Sequence, residues 1–224
     1  MAVMEVKLNG SKVKLKEGMM LYSASHGPVK VVSIEEKEFF GEKEKFCEMK
    51  SELEDIKILV PISKMNEMGI RPIISQEMAK KIVDNVLSKQ AKSAKGIWTK
   101  RIVECETKVY SGNTLLIAEV IRDLFGGMKD MNKSYAERIL FDKAFDRFVL
   151  EYAIAMNIHQ VDANKIIYDI LNDNYIATHQ SEVNVNKNDD AGDDFSDDDI
   201  DGDEVDDDFS DDEEEIKHKN RKSA

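Results

Sequence analysis

Four histidines, two cysteines and one tryptophan are the residues of this 224-residue chain whose chemistry spacing would betray first. His26, His159, His179 and His218 are scattered, and none has a Cys, Asp or His partner at ligand spacing. His26 precedes Gly27-Pro28 and reads as a turn residue. Cys47 and Cys105 share no metal-type spacing and lie among charged residues, as reduced thiols do. There is no Gly-rich phosphate loop, no GxSxG and no nucleophile beside a recognisable base. The chain is therefore expected not to be an enzyme and to need no cofactor. Asp197-Asp198-Asp199-Ile200-Asp201-Gly202 matches the first half of a calcium loop. Its twelfth position would be Asp208 rather than the usual bidentate Glu, and so Asp-rich a segment produces the match by chance; no metal site is expected.

Trp98 is more informative. It stands in Lys92-Ser93-Ala94-Lys95-Gly96-Ile97-Trp98-Thr99-Lys100-Arg101. Between Lys89 and Lys108 there are six basic residues against Glu104 and Glu106. A flat aromatic beside Lys and Arg suits phosphate contact combined with wedging at a base step. Composition alone favours the other possibility, that Trp98 packs into a helical bundle and the lysines form a solvated linker.

The formal charge of -13 has to be divided before it informs. Residues 181–224 hold 19 acidic and 5 basic residues, whereas residues 1–180 hold 26 and 27. The acidity is thus confined to the tail, and a nearly neutral body can still carry a basic patch. The tail repeats Asp-Asp-Phe-Ser-Asp-Asp and has almost no apolar content, so disorder is expected from Ser181 onward. The start of the chain has no apolar stretch of the kind a secretory signal carries, and no apolar run reaches 18 residues. A cytoplasmic protein with no membrane partner is expected.

The elements that would position these residues fall into two zones. From about Lys12 to Ile74 short β-branched runs alternate with turn signals: Val29–Ile34, Lys45–Met49 and Ile56–Val60, with a hairpin tip at Phe39-Phe40-Gly41-Glu42. Such spacing suggests a small barrel or a strongly bent sheet. Beyond Ser75 the period becomes helical, with a stripe at Met78, Ile82, Val86 and Leu87. Lys89–Gly96 reads as a linker or frayed helix end, Ile97–Tyr110 as a helix, and Asn113 or Thr114 as the cap of the next. That helix is expected to end at Gly126-Gly127. Ser134-Tyr135-Ala136-Glu137 is a capping box that opens a helix reaching Met156, and a last helix starts near Asp162. The fold class expected is α+β: a β-domain over 12–74, a bundle of four or five helices over 75–176, and a disordered acidic tail over 181–224.

Several short pieces then occur in a telling order. They are Lys16-Glu17-Gly18, His26-Gly27, Ile34-Glu35-Glu36-Lys37, Phe40-Gly41-Glu42-Lys43, Val60-Pro61-Ile62 and Met68-Gly69-Ile70-Arg71-Pro72-Ile73. Trp98-Thr99-Lys100-Arg101, Ala118–Leu124 and Ser134–Arg138 complete the series. In this order they make residues 15–172 resemble the CarD (CdnL) family of bacterial transcription regulators, whose first domain is shared with the transcription-repair coupling factor. The resemblance implies a Tudor-like β-barrel that binds the RNA polymerase β subunit. It also implies a helical domain that binds promoter DNA at the upstream edge of the transcription bubble and stabilises the open complex.

Carried over residue by residue, the resemblance places the minor-groove wedge on Trp98 and phosphate contacts on Lys100 and Arg101, with Lys95 beside them. Polymerase contact falls on the outer strands, at Lys37, Phe39 and Leu59. It implies a monomer associated with polymerase on the nucleoid. Leu59 stands where some members carry a polymerase-contacting Arg. Val103 and Phe125-Gly126-Gly127 replace basic positions of other members, which implies weaker DNA affinity. An adaptor that docks on polymerase without touching DNA is the alternative. The tail lies outside the resemblance; it could solubilise, cover the basic stretch as a nucleic-acid mimic, or recruit a basic partner.

Overall fold

The computed structural model describes residues 4–39, 42–91, 98–129 and 134–186. The expectations for Lys95 and for the tail beyond residue 186 lie outside the described residues.

The chain opens on a hairpin. β1 (Met4–Leu8) and β2 (Ser11–Leu15) pair antiparallel across Asn9-Gly10, both at positive φ (45° and 80°). Asn-Gly suits such a two-residue turn because its mirror-image twist matches that of the strands. β3 (Met20–Ser23), β4 (Gly27–Phe39), β5 (Glu42–Ser51), β6 (Lys57–Pro61) and β7 (Ile70–Pro72) form an antiparallel sheet in the order β6-β5-β4-β3-β7. A bulge between Val31 and Ser33 shifts the pairing of β4 with β5, so Val31 opposes Met49 and Ile34 opposes Cys47. Leu8 and Leu15 of the hairpin join Leu21, Val29, Val31, Cys47, Met49 and Val60 in one buried cluster. Asn66 pins the hairpin: its side chain accepts from Asn9 N at 2.9 Å and donates to the Lys7 carbonyl at 2.6 Å.

The expectation of a barrel is met only in part. The two-stranded and five-stranded sheets share a core, but no strand pairing among the described residues joins them into a closed cylinder. The hairpin covers the sheet through side-chain packing rather than a continuous ladder.

Five helices follow. α1 (Gln76–Ile82) is capped by the Ser75 side chain and continues into a π turn over Val83–Leu87. α2 (Trp98–Tyr110), α3 (Thr114–Lys129), α4 (Tyr135–Met156) and α5 (Gln160–Asn186) complete the domain. Val83, Ile117, Ile121, Leu124, Phe148 and Ile167 belong to its core. Asn113 caps α3 by accepting from Leu115 N at 3.0 Å. α3 does not stop at Gly126-Gly127 as expected but runs on to Lys129. Gly126 has no positive φ, and a Cβ there would meet the Tyr175 ring of α5 at 3.5 Å, an ordinary packing distance, so the helix passes through it. α4 ends where expected, on Asn157 in the left-handed conformation (φ 55°). α5 begins two residues before the expected Asp162 and carries Ser181–Asn186, expected to be disordered, as helix.

Candidate nucleic-acid interface

α2 begins at Trp98, so the tryptophan occupies the first position of the helix that the basic segment leads into. Lys100 is exposed two residues on. Arg101 is not free in the same way: its Nη2 lies 2.5 Å from Glu137 Oε1, its side chain is 24% exposed, and its Nε is buried. Glu137 is the glutamate of the capping box and is itself buried. Its Oε2 accepts from Ser134 N and Ser134 Oγ (3.3 and 3.1 Å), while Ser134 Oγ accepts from Glu137 N. Lys108, at the other end of α2, donates to Glu119 of α3 at 2.8 Å, and that hydrogen bond holds its ammonium above the usual lysine range. Of the six basic residues counted in the sequence, two are thus committed to carboxylates. Lys89 and Lys100 are exposed, and Lys92 and Lys95 lie outside the described residues.

The proposed polymerase contacts sit on the other domain. Leu59 opposes Glu48 across β6 and β5, and Lys37 opposes Glu44 across β4 and β5. Glu44 and Glu48 are an even number of residues apart on one strand, so Lys37 and Leu59 belong to the same sheet face. This is the face away from Cys47 and Met49, which are buried in the core. Leu59 is 43% exposed on an edge strand. Glu48 beside it accepts from Lys57 at 2.9 Å; that contact, and more weakly Lys37, hold its carboxyl below the usual range. Phe39 is the last residue of β4, opposite Glu42.

What the sequence did not reveal is the joint between the sheet and the helices. Arg71 of β7 donates from Nη1 and Nη2 to Glu151 Oε1 and Oε2 of α4 (2.5 and 3.0 Å). Its Nε donates to the Gly112 carbonyl (2.7 Å), and its Nη2 also reaches Thr114 Oγ1 (2.7 Å). Glu151, 0% exposed, accepts further from Thr114 Oγ1 and from Ile74 N (2.8 and 3.1 Å). The guanidinium lies 3.9 Å above the Tyr22 ring. Burial, and secondarily the Glu151 charge, push the Tyr22 hydroxyl far above the tyrosine range.

One helical turn earlier on α4, Arg147 donates to the carbonyls of Ala24 (3.2 Å) and Ser25 and lies 5.0 Å from the Tyr110 ring. A Cβ on Gly112 would stand 3.0 Å from Ala24 Cβ, so the α2–α3 turn meets the β3–β4 turn backbone to side chain. Arg71 belongs to one of the telling pieces of the sequence; Glu151, Arg147 and Thr114 do not, and a charged residue within an amphipathic helix reads as solvent-facing until packing shows otherwise.

The joint has a mechanical consequence. A buried network whose charges are all paired favours one relative arrangement, because rotation strands a charge or a carbonyl away from water; the buried Tyr22 hydroxyl beside it has no partner among the described residues. The outer sheet face and the start of α2 are therefore held at a fixed separation by groups belonging to neither. No cluster of three or more His, Cys, Asp or Glu residues among the described residues could hold a metal ion, and no described helix is long and apolar enough to cross a membrane.

Comparison with known proteins agrees with this layout. Residues 82–168 match the family described as "CarD, C-terminal domain", which spans the π turn, all of α2 and α3, and α4 with the first turns of α5. Over 133 residues the chain is 26% identical to YdeB of Bacillus subtilis (strain 168), a protein provisionally named a transcription factor. That alignment covers 59% of this chain and 86% of the relative's length.

Proposed function

We infer that this chain is a CarD-type transcription regulator, and from that premise propose that it binds the RNA polymerase β subunit and promoter DNA together. The β-domain, acting as the Tudor-like module of the family, meets polymerase through the outer sheet face around Lys37, Phe39 and Leu59. The start of α2 meets DNA at the upstream edge of the bubble: Trp98 wedges at a base step, and Lys95 and Lys100, with Arg101 in the same turn, face the backbone. A protein holding both partners binds the melted promoter better than the closed one and so shifts the population toward the open complex. Tethering to polymerase raises the local concentration of the DNA module, so that a small basic surface suffices.

The observation that carries this reading is the buried joint. A fixed arrangement of the sheet and the helices suits a protein that engages two partners at once. The test is the open-complex lifetime on a responsive promoter with wild-type protein and Trp98→Ala. Stacking of an aromatic on a base contributes roughly 1–3 kcal/mol. Trp98→Ala should therefore shorten the lifetime at least fivefold while polymerase capture stays at the wild-type level. Equal lifetimes would remove the wedge.

One observation favours a second reading, an adaptor that docks on polymerase without touching DNA. Arg101 and Lys108 are both committed to carboxylates within the protein. Crosslinking from residue 98 to DNA at the upstream bubble edge distinguishes the two; its absence in the polymerase complex favours the adaptor.

A further inference from the structure

We propose that Arg101 is a positioning residue: it clamps the first turn of α2 to the N-terminus of α4 through Glu137 and leaves direct phosphate contact to Lys100. The inference rests on the DNA-binding reading above and changes the part Arg101 plays in it.

The geometry begins with helix direction. Arg101 meets Glu137 near the start of α2 and α4, and Tyr110 meets Lys143 further along both (2.8 Å), so the two helices run the same way. Their N-termini lie side by side. The start of α4 carries the equivalent of roughly half a positive charge on its unpaired N–H groups, and the Arg101 guanidinium brings a full one beside it, so the arrangement is repulsive on its own. The buried Glu137 carboxylate answers both. Glu137 accepts from Ser134 N at the cap of α4 with one oxygen and from Arg101 of α2 with the other. Ser134 and Glu137 share the first turn of α4, whereas Arg101 comes from 36 residues earlier and ties α2 to this cap.

The same contacts argue against Arg101 as a phosphate ligand. Its Nε is buried, and its Nη2 is spent on Glu137 at charge-assisted distance. A phosphate arriving at the guanidinium would have to approach a carboxylate of its own sign. Lys100, one residue earlier, is exposed and pairs with no carboxylate among the described residues. Arg101 therefore acts on Trp98 through the backbone of the helical turn they share.

The test uses the full chain and its single tryptophan. Arg101→Gln and Glu137→Gln are compared with Lys100→Gln. Gln at 137 can keep the capping box while removing the charge that holds Arg101, so this variant isolates the clamp from the helix cap. Two readouts are taken: Trp98 fluorescence anisotropy in the free protein, and the slope of log affinity against log salt for promoter DNA in the polymerase complex. Each phosphate contact contributes about 0.9 to that slope.

A clamp predicts that Arg101→Gln and Glu137→Gln lower the anisotropy alike, and that the double variant goes no further. Both weaken DNA binding with the salt slope unchanged, whereas Lys100→Gln lowers the slope by about 0.9 and leaves the anisotropy at the wild-type value. The clamp is overturned if Arg101→Gln lowers the slope by that amount while Glu137→Gln behaves as wild type in both readouts. Because the anisotropy arm needs no DNA, failure of the DNA-binding reading shows as absent wild-type DNA affinity and is distinguishable from failure of the clamp.

Discussion

Replacing Glu151 with Ala removes a carboxylate that serves four donors from three segments of the chain: two nitrogens of Arg71, the Thr114 hydroxyl and the Ile74 amide. The carboxylate itself is 0% exposed, so none of these donors recovers water at that spot. Breaking one partner of a buried pair costs about 3–5 kcal/mol, because the remaining charge stays desolvated. Arg71 keeps the carbonyls of Gly112 and Pro72, the Thr114 hydroxyl and the Tyr22 ring, which places the loss toward the lower end. The Ile74 amide keeps no other recorded acceptor, which adds on the order of 1 kcal/mol.

The expected loss is therefore about 4 kcal/mol, read by urea denaturation followed by circular dichroism at neutral pH. In a folded body of this size it corresponds to a fall in Tm of roughly 8–16 °C. The double variant Arg71→Met/Glu151→Leu should recover much of that loss, since apolar replacements of similar volume spare both desolvation penalties. It should nevertheless shorten the open-complex lifetime, because apolar packing does not specify the angle between the domains. A loss under 1 kcal/mol for Glu151→Ala would refute the argument that this network holds the joint. For comparison, the exposed Lys81–Glu77 pair should be worth no more than about 0.5 kcal/mol.

Two further expectations concern packing and ionisation. Gly112→Ala combines a positive φ of 72° with a Cβ only 3.0 Å from Ala24 Cβ; it should cost about 2–4 kcal/mol by chemical denaturation, and adding Ala24→Gly should relieve only part of the steric share, because Ala24 Cα would still stand 3.3 Å away. Burial pushes the Cys47 thiol up to about 11. Its buried neutral form therefore contributes stability that is complete below the unfolded thiol's value and is lost as pH rises from about 9 toward 11. Titration with a disulfide reagent at pH 8 should find Cys47 unreactive until urea unfolds the β-domain; reaction at the rate of a free thiol would contradict its burial.

Much of the local structure was legible because its causes are local. The Ser134/Glu137 capping box needs only a hydroxyl and a carboxylate three residues apart, and it forms as expected. The Asn9-Gly10 hairpin was equally legible in principle, since that dipeptide favours the turn it makes, yet the β-zone was begun only at Lys12. Of the helical stripe Met78, Ile82, Val86 and Leu87, the last three lie in the core, whereas Met78 is exposed. Gly126 misled because a glycine's sequence context does not say whether its backbone adopts the left-handed stop; here it stays helical and α3 runs on to Lys129.

The sequence by itself determined the α+β class, the change of period near Ser75, the separation of acidic tail from neutral body, and the motif order that resembles the CarD family. Those follow from propensity, periodicity and charge, which act between near neighbours. Only the tertiary structure decided which charges are buried and with whom. Arg71 and Glu151, 80 residues apart, and Arg101 and Glu137, 36 apart, look in sequence like any other surface residues. Their roles arise when packing strips away water and leaves each guanidinium one carboxylate within reach, because an ion pair in solvent is worth little and the same pair sealed between domains fixes their arrangement.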